Sequence, residues 1–266
     1  MIRIGTSGYS FQDWKGTVYP SNIKDGEMFA YCIDHYRLNT VEINYTYYKQ
    51  PVARTFESMI KKCPEDFFFT VKLFGGITHK GLKPDPECCR RFLDGIKPVI
   101  EAGMLGCLLA QFPPTLNRSS EAWDYLLSLP DALDGLPLVY EFRNRTWVAE
   151  ETGRTLKEAN IGYCAVDEPQ VGQLMPLVPN VTSDIAYLRL HGRNRNWFTD
   201  PSQRYDYLYS EKELMSFIPI IERMASESTC IYVQFNNCHA GSALRNVKML
   251  QYLLGLNLPP IQGELF

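Results

Sequence analysis

The chain has 266 residues, with 27 basic side chains against 30 acidic ones and a formal net charge of -3, a balance that excludes a bulk polyanion binder. Hydrophobic residues at 45% and charged residues at 21% are ordinary globular values, which rules out disordered, collagenous and low-complexity chains. The length suits one large domain.

In chain order, a β-branched run at Ile2–Thr6 reads as the first strand. A long loop from Ser7 to Asp25 follows, and then a helical period over about 26–37. Strand Thr40–Asn44 leads to a helix over 51–62 with Pro51 at its first turn. Strand Phe67–Leu73, a loop from Phe74 to Asp85 and a helix over 86–102 make the third unit. Cys107–Phe112 with helix 119–129, and Leu138–Arg143 with helix 151–159, make the fourth and fifth. After strand Tyr163–Asp167, residues 170–183 carry Pro176 and Pro179 without a helical period, so a sixth helix is short or missing. Strand Ile185–His191, a loop from Gly192 to Ser210 and helix 211–227 come next, and Cys230–Asn236 with helix 240–254 closes the series.

Strands alternating with helices give a parallel sheet. Eight of them in about 250 residues predict an α/β fold, a single-domain (β/α)8 TIM-like barrel spanning 1–266. The alternative is a doubly wound open sheet. Its nucleotide-binding form needs a Gly-rich fingerprint after the first strand, and Gly5-Thr6-Ser7-Gly8-Tyr9-Ser10 is not one.

Strand side chains alternate in direction, so each strand splits into two faces. The polar faces carry Glu42, Asn44, Lys72, Glu141, Arg143, Arg189, His191 and Asn236, with Gln111 and Asp167 at the last positions of strands four and six. Facing the helices, these charges would be stranded without partners. Facing inward, they converge on the carboxyl end of the barrel, where barrel enzymes keep their chemistry. The loops add Trp14, Tyr48, His79, Trp147, Arg193 and Trp197.

The stretches Gly5-Thr6-Ser7-Gly8-Tyr9 with Trp14, Thr40-Val41-Glu42-Ile43-Asn44, Thr78-His79 and Gln111-Phe112-Pro113-Pro114 resemble successive motifs of the YecE-like family. Glu141-Phe142-Arg143 with Trp147, Asp167 with Pro169, Arg189-Leu190-His191-Gly192-Arg193 with Trp197, and Phe235-Asn236-Asn237 continue the match in order. Tyr9 stands where a Trp is common, and Tyr45 where a small residue is common. The resemblance implies a TIM barrel and a domain of unknown function, and it supplies no reaction.

The residues themselves point to an enzyme, a hydrolase, lyase or isomerase acting on an anionic, phosphorylated or sugar-like small molecule. Glu42, Glu141, Lys72, His191 and Asp167 are the catalytic candidates. Arg143, Arg189 and Arg193 are read as anion clamps. Asn44, Gln111, Asn236 and His79 are further ligand contacts, and Trp14, Tyr48, Trp147 and Trp197 are stacking surfaces. Arg143 is expected to depress Glu141. A glycosidase pair at Glu42 and Glu141 is disfavoured, because strands two and five stand three apart and such pairs need roughly 5 to 9.5 Å.

No cofactor is expected. A divalent metal on Glu42, Glu141, Asp167 and His191 is the alternative, opposed by the neighbouring cations. Lys72 is also a Schiff-base candidate if burial lowers its pKa, whereas pairing with Glu42 would raise it. The other class of reading is a non-catalytic binding barrel for an anionic ligand or single-stranded nucleic acid, the latter not favoured by the charge. Apolar stretches are far shorter than the roughly 18 residues of a membrane span, so no membrane partner is expected. Arg3, Gly5 and Ser7 interrupt any leader-like start, and the expected compartment is the cytoplasm, with reduced cysteines.

Overall fold

The computed structural model describes residues 1–200 and 203–256; residues 257–266, included in the expected single domain, lie outside them. Eight strands form one sheet: β1 (Ile2–Thr6), β2 (Thr40–Ile43), β3 (Phe68–Lys72), β4 (Leu105–Gln111), β5 (Leu138–Glu141), β6 (Gly162–Asp167), β7 (Ile185–Leu190) and β8 (Cys230–Phe235). Their order is β1-β8-β7-β6-β5-β4-β3-β2, every pair is parallel, and β1 returns to β2 to leave a nearly closed TIM-like barrel.

Two seams are narrow. β5 and β6 share only the pairs Val139↔Gly162 and Tyr140↔Tyr163. β1 and β2 meet at a single bridge, Ser7↔Glu42, with Gly8 N–H donating to the Glu42 carbonyl at 2.9 Å. At that second seam Gly5 lies so close to β2 that a Cβ would stand 2.2 Å from the Thr40 carbonyl oxygen, so only glycine fits.

The helices are α1 (Met28–Tyr36), α2 (Ala53–Ile60), α3 (Gly75–Thr78), α4 (Pro86–Glu101), α5 (Ser120–Ala132), α6 (Glu150–Glu158), α7 (Glu211–Ser226) and α8 (Ser242–Leu253). Seven of them match the predicted connections, and α3 is one extra turn in the loop after β3. Local chemistry starts them. The Asp85 carboxylate caps Glu87 and Cys88 ahead of Pro86, Ser119 caps Ala122, and Ser210 and Glu213 form a capping box. Between β6 and β7 there is no helix. That strap is held instead by side chains: Thr182 Oγ1 donates to the Ile161 carbonyl at 2.6 Å, and Met175 N–H donates to Glu168 Oε1 at 2.7 Å.

The helix-facing side of the sheet packs as aromatic clusters. Phe112 meets Tyr140 edge-on at 5.2 Å, and Phe142 stacks on Trp147 at 4.5 Å. This apolar shell leaves the barrel interior for the polar faces. Among the described residues no helix is long and apolar enough to cross a membrane.

Candidate functional site

The strands end one or two residues before Asn44, Arg143, His191 and Asn236. These side chains therefore sit on the rim, above the last ladder bonds, while Glu42, Glu141 and Arg189 lie one layer below, on the strands themselves. Arg189 from β7 reaches across the interior. Its Nη2 donates to Glu42 Oε1 at 2.6 Å and its Nη1 to Glu141 Oε2 at 2.5 Å, with all three side chains 2% exposed or less. Tyr187 donates to Glu42 Oε2 at 2.8 Å and sits 2.8 Å from Thr70 Oγ1.

Arg143 ion-pairs with Glu141 and donates from Nη1 to Glu168 Oε2 at 2.7 Å. Its Nη2 lies 3.1 Å from His191 Nε2, and the other ring nitrogen of His191 is 2.8 Å from Asn236 Nδ2. Glu141 Oε1 faces the Arg143 guanidinium and lies 3.4 Å from His191 Nε2 but has no well-aligned hydrogen bond.

These neighbours decide the protonation states. Burial pushes the Glu141 carboxyl up, but Arg143, Arg189 and His191 outweigh it and hold Glu141 well below the ordinary carboxylate range. Burial, and then Arg143, push His191 down to about 3, so its ring is neutral at pH 7. Burial raises Glu168 against the opposing pull of Arg143. A carboxylate locked in its ionised form is a poor general acid.

Lys72 is different. Its Nζ donates to Gln111 Oε1 at 2.8 Å and stands 4.6 Å over the Tyr47 ring, and among the described residues it has no carboxylate ion pair. Glu42, the partner that would have raised it, is already taken by Arg189 and Tyr187. Burial, and then the nearby Arg189, push Lys72 down to about 8, against Glu141 and Glu42.

Above this layer opens a cavity of about 410 Å³. Its polar lining includes Ser7, Asn44, Lys72, Gln111, Arg143 and Asn236, and its walls are the rings of Tyr9, Phe11, Tyr45, Tyr48 and Tyr205. Of the residues read from the sequence, Glu42 and Arg189 also line it, while Glu141 and His191 lie behind them.

Other expected contacts lie elsewhere. Asp167 takes three bonds from the Arg193 guanidinium, at 2.8, 2.9 and 3.2 Å, and one from the Tyr209 hydroxyl at 2.7 Å. Tyr209 packs on Phe217 and Phe235, so this cluster belongs to the helix-facing side of β6. Arg193 is committed there and also lies 3.4 Å from Glu213. Trp14 and Trp147 are fully buried, with their indole N–H groups donating to the carbonyls of Cys238 and Leu116. Trp197 is buried beneath Tyr205, at 5.5 Å. Tyr48 is exposed at the rim. His79 sits edge-on to Tyr47 and faces a separate hollow of about 330 Å³. Among the described residues no three His, Cys, Asp or Glu side chains form a set that could hold a metal ion.

Sequence reasoning missed Glu168 and most of the ring-bearing walls. Glu168 was within reach of the alternation rule: Cys164 lies close to Glu141 and Arg189 in the interior, and counting on by twos through Val166 arrives at Glu168 rather than Asp167.

Residues 3–264 match a family model described as "Protein of unknown function DUF72". The chain is 29% identical over 287 residues to the UPF0759 protein YunF of Bacillus subtilis, with both chains covered in full. A crystal structure of a DUF72 family protein from Thermotoga maritima is similar at a TM-score of 0.89, with 40% identity over 96% of this chain and 99% of that one. One from Enterococcus faecalis gives 0.85, with 27% identity over 99% and 100%.

Proposed function

The chain belongs to the DUF72 family, and we propose that it is an enzyme acting on a carbonyl-bearing small molecule in the barrel mouth, with the Lys72 amine as the reacting group. The observation that carries this reading is the pairing pattern. Glu42, Glu141 and Glu168 are each bound to a guanidinium, whereas the half-buried Lys72 ammonium rests on a neutral amide and opens onto the cavity. A lysine poised near neutrality is the usual form of an imine-forming nucleophile.

The chemistry balances as follows. The neutral Nζ attacks the carbonyl carbon and the C–O π pair moves to oxygen. The carbinolamine then expels that oxygen as water, with both Nζ protons, to leave an imine. Protonated from solvent, the imine draws the electron pair of an adjacent C–H bond, whose proton passes to water, or of a C–C bond to a hydroxyl-bearing carbon. In the second case that fragment leaves as an aldehyde or ketone, with the hydroxyl proton passing to water. The enamine is then reprotonated at carbon by water, which completes the step of an isomerase or a lyase. Hydrolysis returns the amine. Behind it the locked charges of Arg189, Glu42 and Glu141 form a fixed field that needs no reorganisation.

The test is borohydride trapping. The protein is incubated with a panel of aldehydes, ketones, keto acids and phosphosugars and reduced, and each lysine is then mapped by peptide mass. Hydride addition to an imine leaves a stable secondary amine at the residue that formed it. The reading expects the adduct to concentrate on Lys72 at least tenfold over every surface lysine. Labelling no stronger at Lys72 than at Lys49 or Lys80 would overturn it.

A further inference from the structure

We propose that the compound this pocket takes is a neutral polyhydroxylated aldehyde or ketone, a free sugar rather than a phosphosugar or a keto acid. The inference rests on the imine-forming role of Lys72 and adds the class of the substrate.

The first argument is charge. An anionic group entering the mouth needs a cation that is not already neutralised. Arg189 is divided between Glu42 and Glu141, Arg143 between Glu141 and Glu168, and Arg193 is held by Asp167 outside the cavity. Lys72 remains, and it cannot attack the carbonyl while serving as the counter-ion of a phosphate or carboxylate elsewhere on the same molecule. With Lys72 neutral, the three carboxylates Glu42, Glu141 and Glu168 face two guanidiniums. The site is then neutral or one charge negative, according to the state of Glu168, and offers an added anion no net attraction.

The second argument is hydrogen-bond valence. The uncharged polar lining consists of the amides of Asn44, Gln111 and Asn236 with the hydroxyls of Ser7 and of the tyrosine walls. Asn44 Oδ1 is buried and accepts no hydrogen bond within the protein. A buried acceptor left without a donor is costly, and a ligand O–H satisfies it. A carboxylate or phosphate dianion offers acceptors alone and does not. The tyrosine walls complete the match, because a polyol chain presents C–H edges between its hydroxyls that pack on ring faces.

The experiment compares matched pairs in the trapping assay: glyceraldehyde against glyceraldehyde 3-phosphate, erythrulose against pyruvate, and an aldose against its 6-phosphate. The wild-type protein and an Asn44→Leu variant are both used, with the concentration giving half-maximal adduct at Lys72 as the readout. The expected result is that each neutral member labels at concentrations at least tenfold lower than its charged partner, and that Asn44→Leu raises the concentration the neutral sugars need at least threefold while Lys72 still reacts. Equal or stronger labelling by the charged members would overturn the sugar assignment and leave the imine reading standing. Failure of every compound to label Lys72 above the surface lysines would overturn both.

Discussion

Arg189 and Glu141 are joined by a 2.5 Å bond at the floor of the barrel mouth, where neither is more than 2% exposed. The pair is held by geometry and by a second carboxylate, Glu42, on the other end of the same guanidinium. Removing one member therefore strands two charges. Arg189→Met should cost about 3–5 kcal/mol, or leave the chain unfolded, because an uncompensated buried charge is far more expensive than a missing contact. Urea unfolding measures it, and a loss below about 1 kcal/mol would contradict the buried network.

Lys72 gives a pH signature. Its folded pKa of about 8 lies below the ordinary 10.5. Between those values the unfolded chain holds a proton that the native state has released, so stability rises with pH across that window. Lys72→Met should flatten the rise by about 3 kcal/mol. Unfolding midpoints at pH 7.5, 9 and 10.5 decide it, and parallel curves for the two proteins would place Lys72 at an ordinary pKa.

His191 acts at the acid end. Pushed down to about 3 by burial and Arg143, it stays neutral in the native state while an unfolded histidine charges below about 6.5. Stability carried by the neutral ring is present above pH 6.5 and is lost as pH falls toward 3. His191→Gln should therefore weaken the acid dependence, by an amount on the order of 4 kcal/mol over the window. An NMR titration of the His191 ring showing a midpoint near 6.5 would rule this out.

Gly5 closes the ring. A methyl group there would meet the Thr40 carbonyl at 2.2 Å and Gln234 Oε1 at 2.9 Å, whereas one on Gly26 would meet nothing within 4 Å. Gly5→Ala should destabilise the fold by more than about 2 kcal/mol, and Gly26→Ala should be near neutral. Equal melting points for the two variants would mean that the β1/β2 seam yields more easily than its geometry implies.

Two aromatics expected to stack on a ligand separate on stability. Trp147→Ala removes a fully buried ring stacked on Phe142 and should cost about 3–5 kcal/mol. Tyr48→Ala, at 81% exposure, should stay within about 0.5 kcal/mol. Chemical denaturation of both variants measures this, and comparable costs would put Tyr48 in the packed structure.

The barrel was legible because eight strand periods are separated or followed by seven helical ones, and the polar phase of β2, β3, β5, β7 and β8 points inward as read. Asp167 shows where the period misleads. With no charge earlier in β6 to set the phase, Asp167 reads as inward, whereas the phase set by Cys164 assigns the interior to Glu168. Trp14 and Trp147 lie in loops, and nothing in a loop's composition tells whether it folds back into the shell beneath it. The state of Lys72 was equally out of reach, since it depends on Arg189 being long enough to claim Glu42 from across the barrel.

The two thin seams have a consequence for the order in which the molecule comes into being. Strands β2 to β5 are contiguous in the chain, but their neighbours join residues 2–6 to residues 230–235, so β1 waits for its partner until all the other strands have been made. Apart from the local Arg143–Glu141 pair, the bridges of the buried charge network join β2–β5 to the later elements: Arg189 and Tyr187 to Glu42, Arg189 to Glu141, Arg143 to Glu168. A nascent chain that has made Glu42 and Glu141 but not yet Arg189 holds carboxylates that resist burial. Early closure is thereby discouraged. Chains ended at residue 184 should remain open to proteolysis, and the complete chain should resist it, because the last strands bring the counter-ions that allow the first ones to go dry.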